Sequence, residues 1–180
     1  LGVLALLWGL KFDLKKAIEG VSSFKGVKRR LQCKGDASGV LVYDDYGHHP
    51  VAIKTTLKGL KNSFDHRIVC VFQPHRFTRT RDLLTEFSMA FSDADKVIIL
   101  DIYSASEKEI KGISGKLLSD LIRANHTKEV CYMSDIKELD SLVLSGLSSG
   151  DIVITMGAGD VTNLSTLIYN KLKSNKLKKG

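Results

Sequence analysis

Proline and cysteine are scarce in this chain of 180 residues, which contains two prolines and three cysteines. So few prolines, together with only 15 glycines, leave little room for long linkers without regular structure. Hydrophobic residues make up 43% of the chain and charged residues 26%, which excludes a disordered, collagen-like or coiled-coil protein. The length fits one domain, or one domain plus a piece of another.

The cysteines Cys33, Cys70 and Cys131 are odd in number and form no Cys-x-x-Cys pair. Two of them lie in apolar runs, where cysteine behaves as a small core hydrophobe. This usage predicts a reducing, cytoplasmic compartment. The apolar run 1–10 is too short to cross a bilayer and lacks the basic leader of a signal peptide, so we expect no membrane span.

The net charge of +7 is distributed in a way that argues against nucleic-acid binding. Five lysines crowd the last ten residues, and a lysine-rich chain end is usually solvated. The chain contains no recognisable DNA- or RNA-binding signature. We therefore expect no nucleic-acid partner and regard residues 175–180 as a basic tail.

Short apolar segments of strand length alternate with segments of helical spacing from about residue 36. The predicted strands are 40–43, 68–72, 97–100, 130–132 and 152–155; the predicted helices are 53–60, 82–91, one that includes 117–122 with Ser114 as its capping residue, 136–144 and 161–172. Unalternating apolar strands separated by helices are typical of a parallel sheet covered on both faces. The sequence therefore predicts a doubly wound α/β domain with a mostly parallel, Rossmann-like sheet and helices on both faces.

The first residues have a different pattern, with two short helices predicted over 1–10 and 13–21. Asp13 is the expected N-cap of the second helix, and Ile18 and Val21 are expected to face inward. Because the chain begins with Leu1 inside an apolar helix, we expect the natural protein to extend upstream.

The string Asp44-Asp-Tyr-Gly-His-His-Pro50 follows the first predicted strand. Two carboxylates and two imidazoles within seven residues form a polar group that a core would not accept. A ribose or adenine pocket would use an aspartate and an aromatic ring in this way. The alternative is turn chemistry with His49 as a local cap, while a zinc site lacks a second pair of ligands.

The string Gln73-Pro-His-Arg-Phe-Thr-Arg-Thr-Arg-Asp82 follows the second predicted strand. Three arginines at the start of a helix, with a single aspartate among them, predict a receptor for a carboxylate or a phosphate. The alternative is an exposed basic turn. Ligands of open α/β sheets bind at the carboxyl ends of the strands, where this string lies.

Two further strings are weaker indications of a binding site. Gly157-Ala-Gly159 is half of a dinucleotide fingerprint, and its glycines are better explained as a tight turn with Asp160 as N-cap. By spacing alone, the pair Arg29-Arg30 is ordinary solvated surface.

Five strings together resemble the C-terminal domain of the Mur ligases, the ATP-dependent amide ligases of peptidoglycan synthesis. They are Gly26-Val-Lys-Arg-Arg30, Asp44-Asp-Tyr-Gly-His-His-Pro50, Phe72-Gln-Pro-His-Arg-Phe-Thr-Arg-Thr-Arg-Asp82, Asp101-Ile-Tyr103 and Gly157-Ala-Gly159. The string 73–82 is the most specific, and it resembles the branch that adds L-alanine to UDP-N-acetylmuramate. The resemblance implies three parts: 1–23 as the end of a central ATP-binding domain, 24–174 as the C-terminal domain and 175–180 as the tail.

The resemblance implies that ATP is bound partly by this domain. Asp45 would hold the ribose, Tyr46 would lie near the adenine, and Arg30 would reach the phosphates. The family's P-loop, GxxxxGK[ST], and its Mg²⁺-binding carboxylates belong to the central domain, and no such P-loop occurs in this chain. We therefore expect Mg²⁺ ligands elsewhere and an isolated chain without catalytic activity.

The resemblance also implies sites for the other substrates. His48, Arg76 and Arg79 would meet the incoming L-alanine or the nascent product, with the arginines taking its carboxylate. UDP-N-acetylmuramate and the protein's own central and N-terminal domains are the remaining expected partners, and the C-terminal domain would close over the central one.

Two alternatives remain open. A recycling ligase that attaches a whole murein tripeptide to the same nucleotide has a similar C-terminal domain, but it is not expected to carry the 73–82 string. A non-catalytic, stand-alone α/β binding domain is the other alternative, and the apolar residues Leu4, Leu7 and Trp8 argue against it because they would lack a partner face.

Overall fold

The computed structural model of the chain describes residues 2–24, 26–125 and 128–177. Six strands form one sheet, and helices follow most of them. The strands are β1 (Gln32–Ala37), β2 (Val40–Asp45), β3 (Ile68–Phe72), β4 (Lys96–Leu100), β5 (Glu129–Met133) and β6 (Ile152–Met156). The helices are α1 (Gly2–Gly9), α2 (Leu14–Ser23), α3 (Pro50–Ser63), α4 (Phe77–Asp82), α5 (Leu84–Ser88), α6 (Gly115–Asn125), α7 (Leu139–Leu142) and α8 (Val161–Leu177), with 3₁₀ turns at Ile136–Glu138 and Leu144–Gly146.

The sheet has the strand order β1-β2-β6-β3-β4-β5, with β1 antiparallel to β2 and the other five strands parallel. The chain passes from β3 to β4 to β5 in one direction and then returns to insert β6 between β2 and β3. The predicted doubly wound, mostly parallel sheet is confirmed, and each of the five predicted strands lies within an observed one.

The strand β1 was not predicted from the sequence. Its residues are mostly polar, and it joins β2 through a two-residue turn in which Ser38 and Gly39 have φ of 58° and 79°. Such turns favour residues that tolerate positive φ, so Ser-Gly was the available signal. A register shift between Cys33 and Gly35 interrupts the pairing, and a side chain at Gly35 would lie 2.8 Å from the Tyr169 ring.

Apolar side chains cover both faces of the sheet. On one face, α3, α5 and α6 contribute residues such as Leu57, Phe87 and Leu118, all fully buried. On the other face, α7 and α8 contribute residues such as Leu139 and Ile168. Because both faces are covered, the parallel strands read as continuous apolar runs, as the sequence pattern indicated.

Two predicted helices are broken in the structure. The helix predicted over 82–91 is interrupted near its start: α4 ends at Asp82, Leu83 has φ −117° and ψ 24°, and α5 covers only Leu84–Ser88. The helix predicted over 136–144 is a 3₁₀ turn followed by the single turn of α7. The apolar spacing was correct in both segments, since Phe87, Phe91 and Leu139 are buried, but spacing alone does not locate a break.

The helices α1 and α2 pack on each other. Asp13 caps α2 as predicted, accepting from the amides of Lys15 and Lys16 at 2.9 and 3.3 Å. The expectation that Ile18 and Val21 face inward is wrong for this chain, where 51% and 46% of their surfaces are exposed. Neither helix has a buried residue, because no other part of the described chain covers their apolar sides.

The last helix α8 continues to Leu177, five residues beyond its predicted end, so the tail predicted over 175–180 begins inside it. Lys178 and Lys179 lie outside the described residues. Among the described residues, the helices are all too short or too polar to cross a membrane.

Candidate functional site

The chemistry-bearing strings meet at the carboxyl edge of the sheet. In the register of the parallel strands, Asp45 at the end of β2 and Phe72 at the end of β3 both pair with Met156 at the end of β6. The strings 44–50, 73–82 and 157–160 therefore leave the sheet side by side. This is the edge at which open α/β sheets bind ligands.

Four aromatic rings, which we call the aromatic row, connect these strings. The ring centroids of Tyr46 and His48 are 5.1 Å apart in an edge-on arrangement, and those of His48 and His75 are 5.8 Å apart. His75 in turn stacks on Tyr103, with centroids 5.5 Å apart and planes 14° from parallel. The row therefore forms a continuous aromatic surface from the end of β2 to the loop after β4.

Arginines lie along this row. Arg79 Nη1 is 3.3 Å from His75 Nδ1, and its guanidinium also approaches the His75 carbonyl at 3.4 Å. Arg30 lies 5.7 Å from the centroid of the Tyr46 ring, within cation–π range. Arg76 is exposed and lies 3.7 Å from Glu107. Arg30 and Arg79 thus lie near opposite ends of one surface that suits an anionic ligand with a flat ring.

The two histidines of the row are neutral near pH 7. Burial lowers the pKa of the His48 and His75 imidazoles below the ordinary 6.5, and the positive charge of Arg79 lowers both further. His48 Nδ1 lies 2.9 Å from the Tyr46 carbonyl, which can only accept, so this nitrogen carries the proton. His48 Nε2 is therefore the nitrogen with the free lone pair.

Asp44 is a structural group rather than a ligand-facing one. Its side chain is completely buried and accepts hydrogen bonds from the hydroxyls of Thr155 at 3.1 Å and Thr162 at 2.7 Å. Arg29 Nε and Lys34 Nζ lie 3.8 and 3.7 Å from its second oxygen. Asp44, at the end of β2, thus links this strand to β1, β6, α8 and the segment that precedes β1.

Asp45 is also nearly buried, with 6% of its surface exposed. One carboxylate oxygen accepts from the amide of Leu31 at 2.7 Å and the other from the amide of Gly47 at 2.6 Å. These bonds close the turn after β2 and hold Tyr46 in the aromatic row. Each oxygen keeps a second lone pair, so a ribose hydroxyl remains compatible with this arrangement.

Arg29 and Arg30 have different surroundings, although both are near Tyr46. Arg29 points inward: it donates to the Gly157 carbonyl at 2.6 Å and its guanidinium lies 4.9 Å from the Tyr46 ring centroid. The prediction that this pair is ordinary solvated surface is wrong for Arg29. Arg30 is exposed and remains available to a ligand.

The glycine string 157–159, after β6, packs against Gln73 of the same chain. Gln73 Oε1 accepts from the amide of Val161 at 3.1 Å, at the start of α8. A side chain at Gly157 would lie 2.8 Å from the Gln73 carbonyl, and Gly157 has φ of 145°. The glycines permit a close backbone approach, which agrees with the interpretation of this string as a tight turn. Sequence reasoning missed the role of Gln73 because a cap supplied from another strand leaves no local pattern.

His49 is a local helix cap, as the turn alternative for the string 44–50 predicted. It precedes α3 at the N-cap position, and its Nδ1 accepts from the amide of Val51 at 3.4 Å. Within the part of the chain that the structure describes, no group of three or more His, Cys, Asp or Glu side chains could hold a metal ion.

These features define a class of protein: a doubly wound α/β domain whose sheet carries arginines and neutral imidazoles at its carboxyl edge, a surface that suits anionic ligands. The family described as "Mur ligase, glutamate ligase domain" matches residues 29–159. The chain belongs to this Mur ligase family.

A curated relative and two solved structures are informative. The UDP-N-acetylmuramate–L-alanine ligase of Myxococcus xanthus is 38% identical over 179 residues, which are 99% of this chain and 38% of the relative. The solved UDP-N-acetylmuramate–alanine ligase of Thermotoga maritima is 27% identical, with a TM-score of 0.79 over 96% of this chain and 36% of that one. This chain therefore spans well under half the length of these relatives.

The second solved structure is a single domain of a UDP-N-acetylmuramate:L-alanyl-γ-D-glutamyl-meso-diaminopimelate ligase from Haemophilus ducreyi. It is 25% identical, with a TM-score of 0.59, and it covers 79% of this chain and 99% of that one. That structure contains a single domain, so almost all of it corresponds to this chain.

Proposed function

We propose that this chain is the C-terminal domain of an ATP-dependent, ADP-forming ligase that joins L-alanine to UDP-N-acetylmuramate. The placement of Arg76 at the N-cap of α4 and of Arg79 within α4, beside the neutral imidazoles of the aromatic row, is the observation that carries the proposal. The charges of both guanidiniums lower the pKa of the His75 imidazole, so the two lie near one point of the row and can serve one carboxylate. The relatives support this reaction over other amide ligations.

In the reaction, the muramate carboxylate attacks the γ-phosphorus of ATP and ADP leaves, which gives an acyl phosphate. The amine nitrogen of L-alanine then attacks the acyl carbon, and phosphate leaves. Arg76 and Arg79 would hold the alanine carboxylate, which orients the amine. His48 would meet the same amino acid, and its Nε2 lone pair can accept a hydrogen bond from the amine.

ATP would bind at the other end of the aromatic row. Tyr46, 36% exposed, offers a ring near the adenine, Asp45 would hold the ribose, and Arg30 would stabilise charge on the phosphates. These residues fit a nucleotide. The described residues contain no group of three or more His, Cys, Asp or Glu side chains that could hold a metal ion. The family resemblance assigns the Mg²⁺ ligands to the central domain. We also place the reaction in the cytoplasm, which agrees with three unpaired cysteines.

The experiment is steady-state kinetics of a ligase that contains this chain as its C-terminal domain. Arg79→Ala removes charge-assisted hydrogen bonds of about 1.5–3 kcal/mol, so the KM for L-alanine should rise about 10- to 150-fold. The KM for ATP should stay within about twofold. Arg81→Ala is the matched control, because Arg81 is on the same helix and pairs with Asp82. Equal increases in both constants would refute the assignment.

The same assay distinguishes the L-alanine ligase from the alternative, a ligase that recycles the murein tripeptide. Replacement of L-alanine by the murein tripeptide should abolish turnover, whereas a preference for the tripeptide would identify a recycling ligase. The 180-residue chain alone should show no ATP turnover, because it lacks a P-loop. Turnover that requires both UDP-N-acetylmuramate and L-alanine would contradict that expectation.

A further inference from the structure

The loop 101–114, between β4 and α6, passes over the start of α4. The Tyr103 amide donates to the Pro74 carbonyl and the Arg76 amide donates to the Tyr103 carbonyl, each at 2.8 Å. These bonds form an isolated parallel bridge between His75 and Tyr103, whose rings also stack. The loop is therefore fixed to the segment that leads into α4.

The N-terminus of α4 lacks a cap from its own sequence. Arg76 occupies the N-cap position with φ of 74° and provides no side-chain hydrogen bond there. Glu107, in the loop, provides it instead: its carboxylate accepts from the Thr78 amide at 3.0 Å and from the Thr78 hydroxyl at 2.7 Å. A carboxylate at this position satisfies an amide that the helix leaves free and interacts favourably with the helix dipole.

Glu107 also faces one of the proposed substrate-binding arginines. Its carboxylate lies 3.7 Å from Arg76 Nη1, while the Glu107 side chain is 21% exposed. The hydrogen bonds from Thr78 lower the pKa of Glu107, so the group is charged at neutral pH. One carboxylate thus caps the helix start and forms an ion pair with a half-exposed guanidinium of the cleft.

The backbone before Glu107 has an unfavourable conformation. Ala105 and Ser106 have φ of 50° and 71°, a region that side-chain-bearing residues rarely adopt. Two such residues in succession persist only where the surrounding contacts determine the conformation. Here the Glu107 amide donates to the Ser104 carbonyl at 3.0 Å, which closes the turn, and the contacts of Tyr103 and Glu107 with the α4 segment hold that turn in place.

We propose that Glu107 is a positioning residue: it caps α4 from the neighbouring loop and orients Arg76 for the carboxylate of the amino-acid substrate. This inference rests on the proposed function for its substrate, although the capping is independent of it. The positions of Arg76 and Arg79 thereby depend on the loop 101–114 as well as on α4.

Kinetics of the ligase that contains this chain provide the first test. Glu107→Ala should raise the KM for L-alanine about five- to tenfold, the size of a lost helix cap, and leave the KM for ATP within about twofold. Glu107→Gln should recover part of the loss, because the amide oxygen can still accept from Thr78 while the charge beside Arg76 is absent. Glu109→Ala is the control, since Glu109 is an exposed glutamate of the same loop.

Amide hydrogen exchange of the 180-residue chain provides the second test. Exchange of the Thr78 amide should accelerate about tenfold in Glu107→Ala and not in Glu109→Ala. An unchanged exchange rate, or an L-alanine KM equal to that of the Glu109 control, would overturn the role of Glu107. If Arg79→Ala raises this KM and Glu107→Ala does not, the Glu107 proposal alone fails. If the enzyme does not use L-alanine, the proposed function fails and the exchange result still decides the capping.

Discussion

Removal of the buried carboxylate in Asp44→Ala should destabilise the domain strongly. The variant leaves the hydroxyls of Thr155 and Thr162 without their acceptor and the cations of Arg29 and Lys34 without their counter-charge. Truncation of one partner in a buried charged network costs about 3–5 kcal/mol. The two cations are partly exposed and 3.7–3.8 Å away, so we expect a value near the lower end, about 3 kcal/mol.

The measurement is urea unfolding of the 180-residue chain, followed by circular dichroism and paired with a thermal scan. A loss of about 3 kcal/mol corresponds to a decrease in Tm of roughly 6–12 °C for a chain of this size. Asp65→Ala, at an exposed position, is the control and should change the free energy of unfolding by less than about 0.5 kcal/mol. Asp44→Asn should fall between the two, because its amide oxygen can still accept one threonine hydroxyl. An Asp44→Ala variant as stable as the Asp65 control would refute the network.

Three further outcomes can be checked on the same chain. Gly157→Ala should lower the free energy of unfolding by at least about 1–3 kcal/mol, because its φ of 145° and the Gln73 carbonyl leave no room for a side chain. Gly59→Ala, inside α3 with open space around it, should raise that free energy by roughly 0.5–1 kcal/mol; a decrease would show a hidden contact. His48 and His75 should titrate below pH 6.5 by NMR, and stability should fall as the pH decreases from 6.5 towards their lowered pKa values, because the unfolded chain binds more protons there. A pKa at or above 6.5 for either imidazole would contradict this.

The parallel core was predictable because burial on both faces leaves a direct trace in the sequence. The strands 68–72 and 152–156 are entirely buried and, apart from Thr155, consist of apolar residues. The site was located for a related reason: the strings that follow β2 and β3 are too polar for a core, and parallel strands bring their carboxyl ends together. The assignment of each side chain to ATP or L-alanine rests on the family resemblance and stays a prediction.

The features that sequence reasoning missed depend on contacts between distant segments. β1 is polar because it is a sheet edge, so periodicity does not reveal it. Arg29 and Arg30 are adjacent and chemically identical, and contacts with distant groups, the Gly157 carbonyl and the buried carboxylate that follows β2, distinguish Arg29. Gln73 and Glu107 cap helices that begin far from them in the chain, at separations of 88 and 29 residues. Local patterns cannot carry such information.

The position of β6 has a consequence for how the domain is made. β2 pairs with β1 and β3 pairs with β4 from the start, but the two halves of the sheet are joined only when β6, residues 152–156, is inserted between β2 and β3. Contacts of such long sequence separation form slowly, and a nascent chain that ends before residue 152 leaves two incomplete sheet fragments with unpaired strand edges. Tyr46 and His48 follow β2, whereas the arginines proposed for L-alanine follow β3, so the aromatic row and both proposed sites are assembled only when β6 has joined these two strands.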